Sequence, residues 1–173
     1  VEVLKDKDIV VISDEIYAEL TYGKKHVSIA SFEEMKDRTI LVSGFSKAFA
    51  MTGWRIGYVC ANSVFISAMT KIHQYALMCS PTTAQKAAIE ALTNCHDDVQ
   101  EMVSEYDRRR RVIVNGFREA GMKCFEPRGA FYVFANIKHT GLSSEDFCEQ
   151  LLKKEQVLVI PGNAFGECGD GFV

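Results

Sequence analysis

The apolar positions of the chain fall into two textures. In the first part they form short unbroken runs that stop at small or polar residues. "DIVVISDEIYAEL" runs apolar and breaks at Ser13–Asp14, "TILVSGFS" is a second such run, and "RIGYVCAN" a third. A run with no polar face suits a parallel strand covered by helices on both sides. "SIASFEEMKDR" connects the first two and has room for one short helix. "SVFISAMTKIHQYALM" and "TTAQKAAIEALTN" carry helical spacing, with Ser80–Pro81 between them, and proline is well tolerated at a helix start.

A long helix with a polar face is expected next, from about Asp97 to Ala120, with Gly121 as its C-terminal cap. Beyond it the pattern alternates. "KCFEPRGAFYVFANI" reads as a half-buried strand interrupted by a Pro–Gly turn. "SSEDFCEQLLKKEQ" opens with a serine cap and continues as an amphipathic helix. "VLVIPGNAF" predicts a short strand leading into a loop, and "GDGFV" a turn running into another strand. The fold class is therefore α/β, with a mostly parallel sheet in residues 1–96. A linking helix and a smaller α+β piece fill residues 97–173.

Composition narrows the function more than the fold. The 173 residues carry a formal net charge of -3, which gives no footing for a nucleic-acid partner. The basic run "DRRRR" (107–111) follows acidic residues and reads as the solvated face of a helix. No apolar run is long enough to cross a bilayer, and no leader peptide is evident. Six cysteines lie scattered without a C-x-x-C pair, and the four histidines are isolated. This favours free, mostly buried thiols in a reducing cytoplasm over disulfides or a metal site. The chain begins at Val1 with a strong element close behind, and it stops inside "GDGFV". It reads as an interior fragment of a longer protein.

The candidate chemistry starts in "ILVSGFSKAFAMTGWRIGYV" (40–59), where Lys47 and Arg55 stand among apolar and small residues with no acid between them. A buried ammonium costs several kcal/mol or gives up its proton. Asp14 closes the first strand and Tyr17 follows it by three residues. In open α/β sheets the ligand crevice lies outside the carboxyl ends of the strands. If the first two strands are parallel, one crevice collects a carboxylate, a phenol, an amine and a guanidinium. On spacing alone a structural Asp14–Lys47 salt bridge accounts for the pair equally well.

One chemistry uses all four groups. A desolvated lysine forms a Schiff base with an aldehyde, and pyridoxal phosphate is such an aldehyde. Its pyridine nitrogen needs a carboxylate and its phosphate a cation with hydroxyl donors. Arg55 offers a forked, permanently charged donor set, and Ser43 and Ser46 offer hydroxyls beside it.

"SDEIYAEL" and "SGFSKAFAMTGWRIGY" closely resemble the two signature segments of the class I/II aminotransferases, the fold-type I pyridoxal-phosphate enzymes. "PRGAFYVF" and "VLVIPGNAFG" resemble that family's small domain, so the likeness covers nearly the whole chain. It implies Lys47 as the Schiff-base lysine and proton shuttle, Asp14 on the pyridinium, Tyr17 on the ring 3-oxygen and Arg55 on the phosphate. Many relatives carry a phosphate-binding serine where this chain has Gly44, which leaves Ser43 and Ser46 as alternatives. The implied activity exchanges an amino group between an L-amino acid and a 2-oxo acid, in a homodimer. The family's phosphate loop and its stacking aromatic lie upstream of Val1, and the arginine that clamps the substrate carboxylate follows a "GFV"-like strand start. The fragment by itself is therefore expected to be inactive. Ser80, Pro81 and Thr82 resemble a segment that reaches the partner's active site in relatives, or serve as a plain helix cap. Trp54 and Phe49 are expected in the core. The competing readings are a carbon–sulfur β-lyase or related enzyme of the same fold, and a regulatory or non-catalytic aminotransferase-like domain.

Overall fold

The structure, a computed structural model, describes all residues 1–173. It divides into two compact units. The first is Val1–Ser104 with Arg128–Ala130, the second Glu105–Pro127 with Phe131–Val173.

The first unit is built on a three-stranded sheet in the order β1 (Val11–Asp14), β2 (Thr39–Gly44), β3 (Gly57–Cys60). β1 and β2 run parallel, with Asp14 beside Val42. β3 runs antiparallel to β2, with Gly44 beside Gly57. The short helix in the first connection is α1 (Glu33–Lys36), which buries Met35. Successive residues of a strand face opposite sides, so Ile12, Asp14, Val42 and Val59 share one face. Ser13, Leu41, Ser43 and Tyr58 share the other. Ile12 is 72% exposed and β3 is exposed throughout.

Both predicted helices after the sheet form. α2 (Ser63–Ala76) is capped by Asn62, whose side chain accepts from the Val64 amide, and it buries no residue. α3 (Thr82–Asn94), with Pro81 at its N-cap, buries Ala84, Ala88 and Ala91 along one stripe. Small residues at that spacing let a chain segment approach closely. Phe45 and Met51 pack there with Ala88 and Ala91, joined by Phe49, Ile56 and Ala87. The segment carrying Lys47 is thus held down at both of its ends.

α4 (His96–Glu119) matches the expected long helix, and Gly121 follows it with a left-handed φ of 77°. The first unit ends inside α4, at Ser104. In the second unit the predicted long alternating strand reduces to two residues on each side, β4 (Lys123–Cys124) and β5 (Ala135–Asn136), paired antiparallel. Its middle does not continue the ladder because Arg128–Ala130 belongs to the first unit: Tyr22 N–H donates to Arg128 O and Ala130 N–H to Leu20 O. α5 (Ser144–Glu155) starts where expected, with Ser143 Oγ accepting from the Asp146 amide at 3.1 Å. The strand expected at residues 157–160 is absent, since no neighbouring strand pairs with that backbone, and Leu158 is exposed. The end of the chain does pair, with Val173 and Ala135 exchanging both backbone hydrogen bonds.

Candidate active site

The parallel pairing of β1 and β2 brings their carboxyl ends side by side. Asp14 is the last residue of β1 and is exposed. One carboxylate oxygen, Oδ1, accepts from the Ile16 amide at 3.1 Å, which turns the chain at the strand end and fixes the side chain's direction. The turn that follows carries Tyr17. From β2 the chain passes through Gly44 and Phe45 to Ser46 and Lys47. The Lys47 Nζ lies over the Tyr17 ring, 5.8 Å from its centroid. The structure therefore brings Lys47 and Tyr17 together directly, and Asp14 stands on the neighbouring strand end.

On the Asp14 face, Gly44 and Gly57 stand opposite each other. A Cβ at Gly57 would meet Ser43 O at 2.9 Å, and one at Gly44 would meet the Gly57 Cα at 3.0 Å. Glycine keeps that face flat where β2 leaves the sheet. This explains why no serine occupies position 44.

The two candidate serines separate. Ser43 lies on the face away from Asp14, and its Oγ donates to Glu15 O at 3.2 Å. Ser46 lies in the lysine segment, and its carbonyl accepts from Thr52 Oγ1 at 3.1 Å. Thr52 in turn accepts from Arg55 Nη1 through its own carbonyl at 2.8 Å. Ser46, Thr52 and Arg55 thus form one hydrogen-bonded chain around the loop.

Arg55 is not buried, contrary to the expectation for a cation in apolar sequence surroundings. The loop turns it outward, with φ 52° and ψ 51°. Ala50 has the same left-handed φ of 52°. Non-glycine residues held in that region cost of order 1 kcal/mol each, and such strain concentrates at functional sites. Arg55 borders a cavity of about 460 Å³ with Ala50, Gly53, Pro81 and Thr83. Trp54 beside it is 48% exposed rather than core, whereas Phe49 packs on the core as expected.

Sequence reasoning missed Glu15. It directly follows Asp14 yet is only 7% exposed. Its carboxylate accepts from Ser28 Oγ at 2.6 Å and Ser13 Oγ at 3.1 Å, and lies 2.9 Å from His26 Nε2. The signal was the strand alternation itself, which sends neighbouring acids to opposite faces. The cysteines are free thiols, but only Cys148 is buried, while Cys60, Cys79 and Cys168 are exposed.

A carboxylate and an amine over a phenol ring stand at parallel strand ends, and the exposed Arg55 guanidinium lies just before β3. Residues 1–173 match the model of the family described as aminotransferase class I and II. The chain is 52% identical over 172 residues to YugH of Bacillus subtilis strain 168, named provisionally as an aminotransferase, covering 99% of this chain and 45% of that protein. It is 47% identical over 171 residues to the aspartate aminotransferase of Pyrococcus abyssi, covering 97% and 44%. It superposes on the crystal structure of the aromatic aminotransferase from Pyrococcus horikoshii OT3 with a TM-score of 0.96 and 46% identity, covering 99% of this chain and 47% of that one. The chain belongs to the class I and II aminotransferase family. It spans about 45% of the length of the relatives it matches, and its fold is the corresponding part of the fold-type I aminotransferases.

Proposed function

We propose that the protein to which this chain belongs is a pyridoxal-phosphate-dependent aminotransferase, moving an amino group between an L-amino acid and a 2-oxo acid. One observation carries the reading. β1 and β2 end side by side, one in Asp14 and the other in the segment that aims Lys47 at Tyr17. The family membership supports it.

Pyridoxal phosphate, when bound, supplies a carbonyl that reacts with amines and a pyridine ring that withdraws electrons. Lys47 would be the amine that meets that carbonyl, and its Nζ would take and return the proton at the substrate Cα. Asp14 keeps the pyridine nitrogen protonated, because a carboxylate beside it favours the charged form. The Tyr17 phenol would hold the ring 3-oxygen. Arg55 binds the phosphate with its fork of donors. Ser46, which shares the Arg55 hydrogen-bonded loop, is the serine we assign to it, since the Ser43 hydroxyl is committed to Glu15 O on the other face.

We also propose a homodimer. α2 buries nothing and leaves Ile72 and Tyr75 exposed, and Leu77 and Met78, just past its end and before Ser80–Thr82, are exposed too. The free thiols suit a reducing cytoplasmic setting. No helix is long and apolar enough to cross a membrane.

The test is the half-reaction in the protein extended to the length of its relatives, with aspartate and aromatic amino acids as donors. Conversion of the cofactor with release of the matching 2-oxo acid is expected. The Asp14→Asn variant should keep its shape and lose several powers of ten in rate, each ~1.4 kcal/mol of barrier being tenfold. A near-normal rate in that variant, or elimination products in place of a 2-oxo acid and amino transfer, would overturn the reading.

A further inference from the structure

Glu15 is the chain's one buried carboxylate, and the chemistry proposed above does not use it. It joins three pieces of chain. Its amide donates to Val42 O at 2.8 Å and its carbonyl accepts from Ser43 Oγ at 3.2 Å, so its main chain is fastened to β2 twice. Its carboxylate gathers Ser13 from β1 and His26 and Ser28 from the loop after it. Ser28 is fixed in turn by accepting from the Ala30 amide at 3.1 Å. All of this lies on the face opposite Asp14.

A buried acid with several partners is poor value as a stabilising device. Well-packed apolar residues of similar volume often do as well or better, while removing one partner from such a network is costly. What the network supplies is a fixed geometry. The residue before it is Asp14, and the β2 residues it grips lead straight into Lys47. We propose that Glu15 is a positioning residue: its hydrogen-bonded carboxylate, locked behind the sheet, sets where Asp14 stands relative to the strand that delivers Lys47. This rests on the reading of Asp14 and Lys47 as cofactor residues, but its geometric part holds without the cofactor. It also gives Ser43 a task, as the hydroxyl that ties β2 to the Glu15 carbonyl.

The experiment compares the protein, extended to the length of its relatives, with its Glu15→Gln and Glu15→Ala variants, using amide hydrogen exchange in the cofactor-free protein. A second arm treats each with pyridoxal phosphate and borohydride and reads the fraction fixed on Lys47, with the absorbance spectrum before reduction. Glu15→Ala should speed exchange at residues 15 and 16 by about tenfold or more while the β2–β3 ladder stays protected, a local opening rather than a global one. Glu15→Gln, which keeps an acceptor oxygen, should recover part of the protection. The variants' cofactor spectrum should shift and their labelling at Lys47 should fall in the same order. Wild-type exchange at residues 15 and 16 in Glu15→Ala, or equal acceleration of every amide, would overturn the proposal. If Glu15→Ala does not fold, Ser28→Ala and His26→Gln, each removing one partner, carry the same contrast. Failure of the unmutated protein, extended to the length of its relatives, to fix cofactor on Lys47 would overturn the cofactor reading instead, with the exchange contrast still deciding the role of Glu15.

Discussion

The Lys47 Nζ sits 5.8 Å from the centroid of the Tyr17 ring. That is within the range at which a cation gains from an aromatic face, ~0.5–1 kcal/mol at an open site. The ring therefore contributes to holding the amine. Tyr17→Phe should keep Lys47 in place and keep cofactor bound, but shift the absorbance of the bound cofactor and its dependence on pH. Tyr17→Ala should lose both effects and bind cofactor more weakly. A spectrophotometric pH titration of the two variants decides it. Identical titrations in wild type and Tyr17→Phe would remove the phenol from the account.

Arg55→Lys retains a positive charge and loses the planar fork. The hydrogen bond to Thr52 O, 2.8 Å in the wild type, is made by one of two terminal nitrogens and leaves the rest of the guanidinium for a phosphate. Cofactor affinity should fall by ~1–3 kcal/mol, the scale of a lost charge-assisted hydrogen bond. Fluorescence titration with pyridoxal phosphate measures it, and unchanged affinity would count against the assignment.

Ser144 is fully buried and its hydroxyl serves three backbone groups. It donates to Phe172 O at 2.8 Å and accepts from the amides of Gly171 at 2.9 Å and Phe172 at 3.2 Å. Ser144→Ala should destabilise the second unit by ~1–3 kcal/mol, because the groups it served lose a buried partner. Denaturant unfolding measures the loss. A variant as stable as wild type would mean that water takes the hydroxyl's place.

The acid response of α4 has a definite sign. Hydrogen bonds from Arg108 and Arg109 lower the Glu105 carboxyl from 4.5 to about 2. The Arg110 guanidinium lowers Asp107 and Glu126 in the same direction. A carboxylate depressed on folding contributes stability that is present above its unfolded pKa and lost as pH falls toward its folded one. For Glu105 the window runs from about 4.5 down to about 2. The pairs are largely exposed, so the effect is small and weakened by salt. Acid titration followed by circular dichroism at two salt concentrations should show a helical loss in that window that Glu105→Gln diminishes. An acid transition insensitive to both the substitution and the salt would contradict it.

Most of the element order was legible in the sequence, because unbroken apolar runs and capped helical repeats leave few alternatives. The Ser143 cap and the Gly121 stop fell where their chemistry put them. Residues whose fate depends on distant backbone were not legible. The run through Phe125–Phe134 alternates like a strand, yet Arg128–Ala130 is drawn off to pair with Leu20–Tyr22. Residues 157–160 are rich in strand formers but have no partner strand. At the site, strand ends and spacing could place Asp14, Tyr17 and Lys47 near one sheet edge, but a structural salt bridge fitted equally well, and their roles were read only from the family resemblance. The separation of Ser43 from Ser46 was not legible, since it depends on which face each residue takes as β2 ends.

The central claim is that Lys47 is the amine that meets the cofactor. The direct measurement is reduction of the pyridoxal-phosphate-treated protein with borohydride, followed by digestion and mass analysis of the modified peptide. The account predicts a single stoichiometric label on Lys47, in the peptide containing "SGFSK", and none in Lys47→Ala. A label spread over other lysines, or none at all in a cofactor-saturated sample, would contradict it.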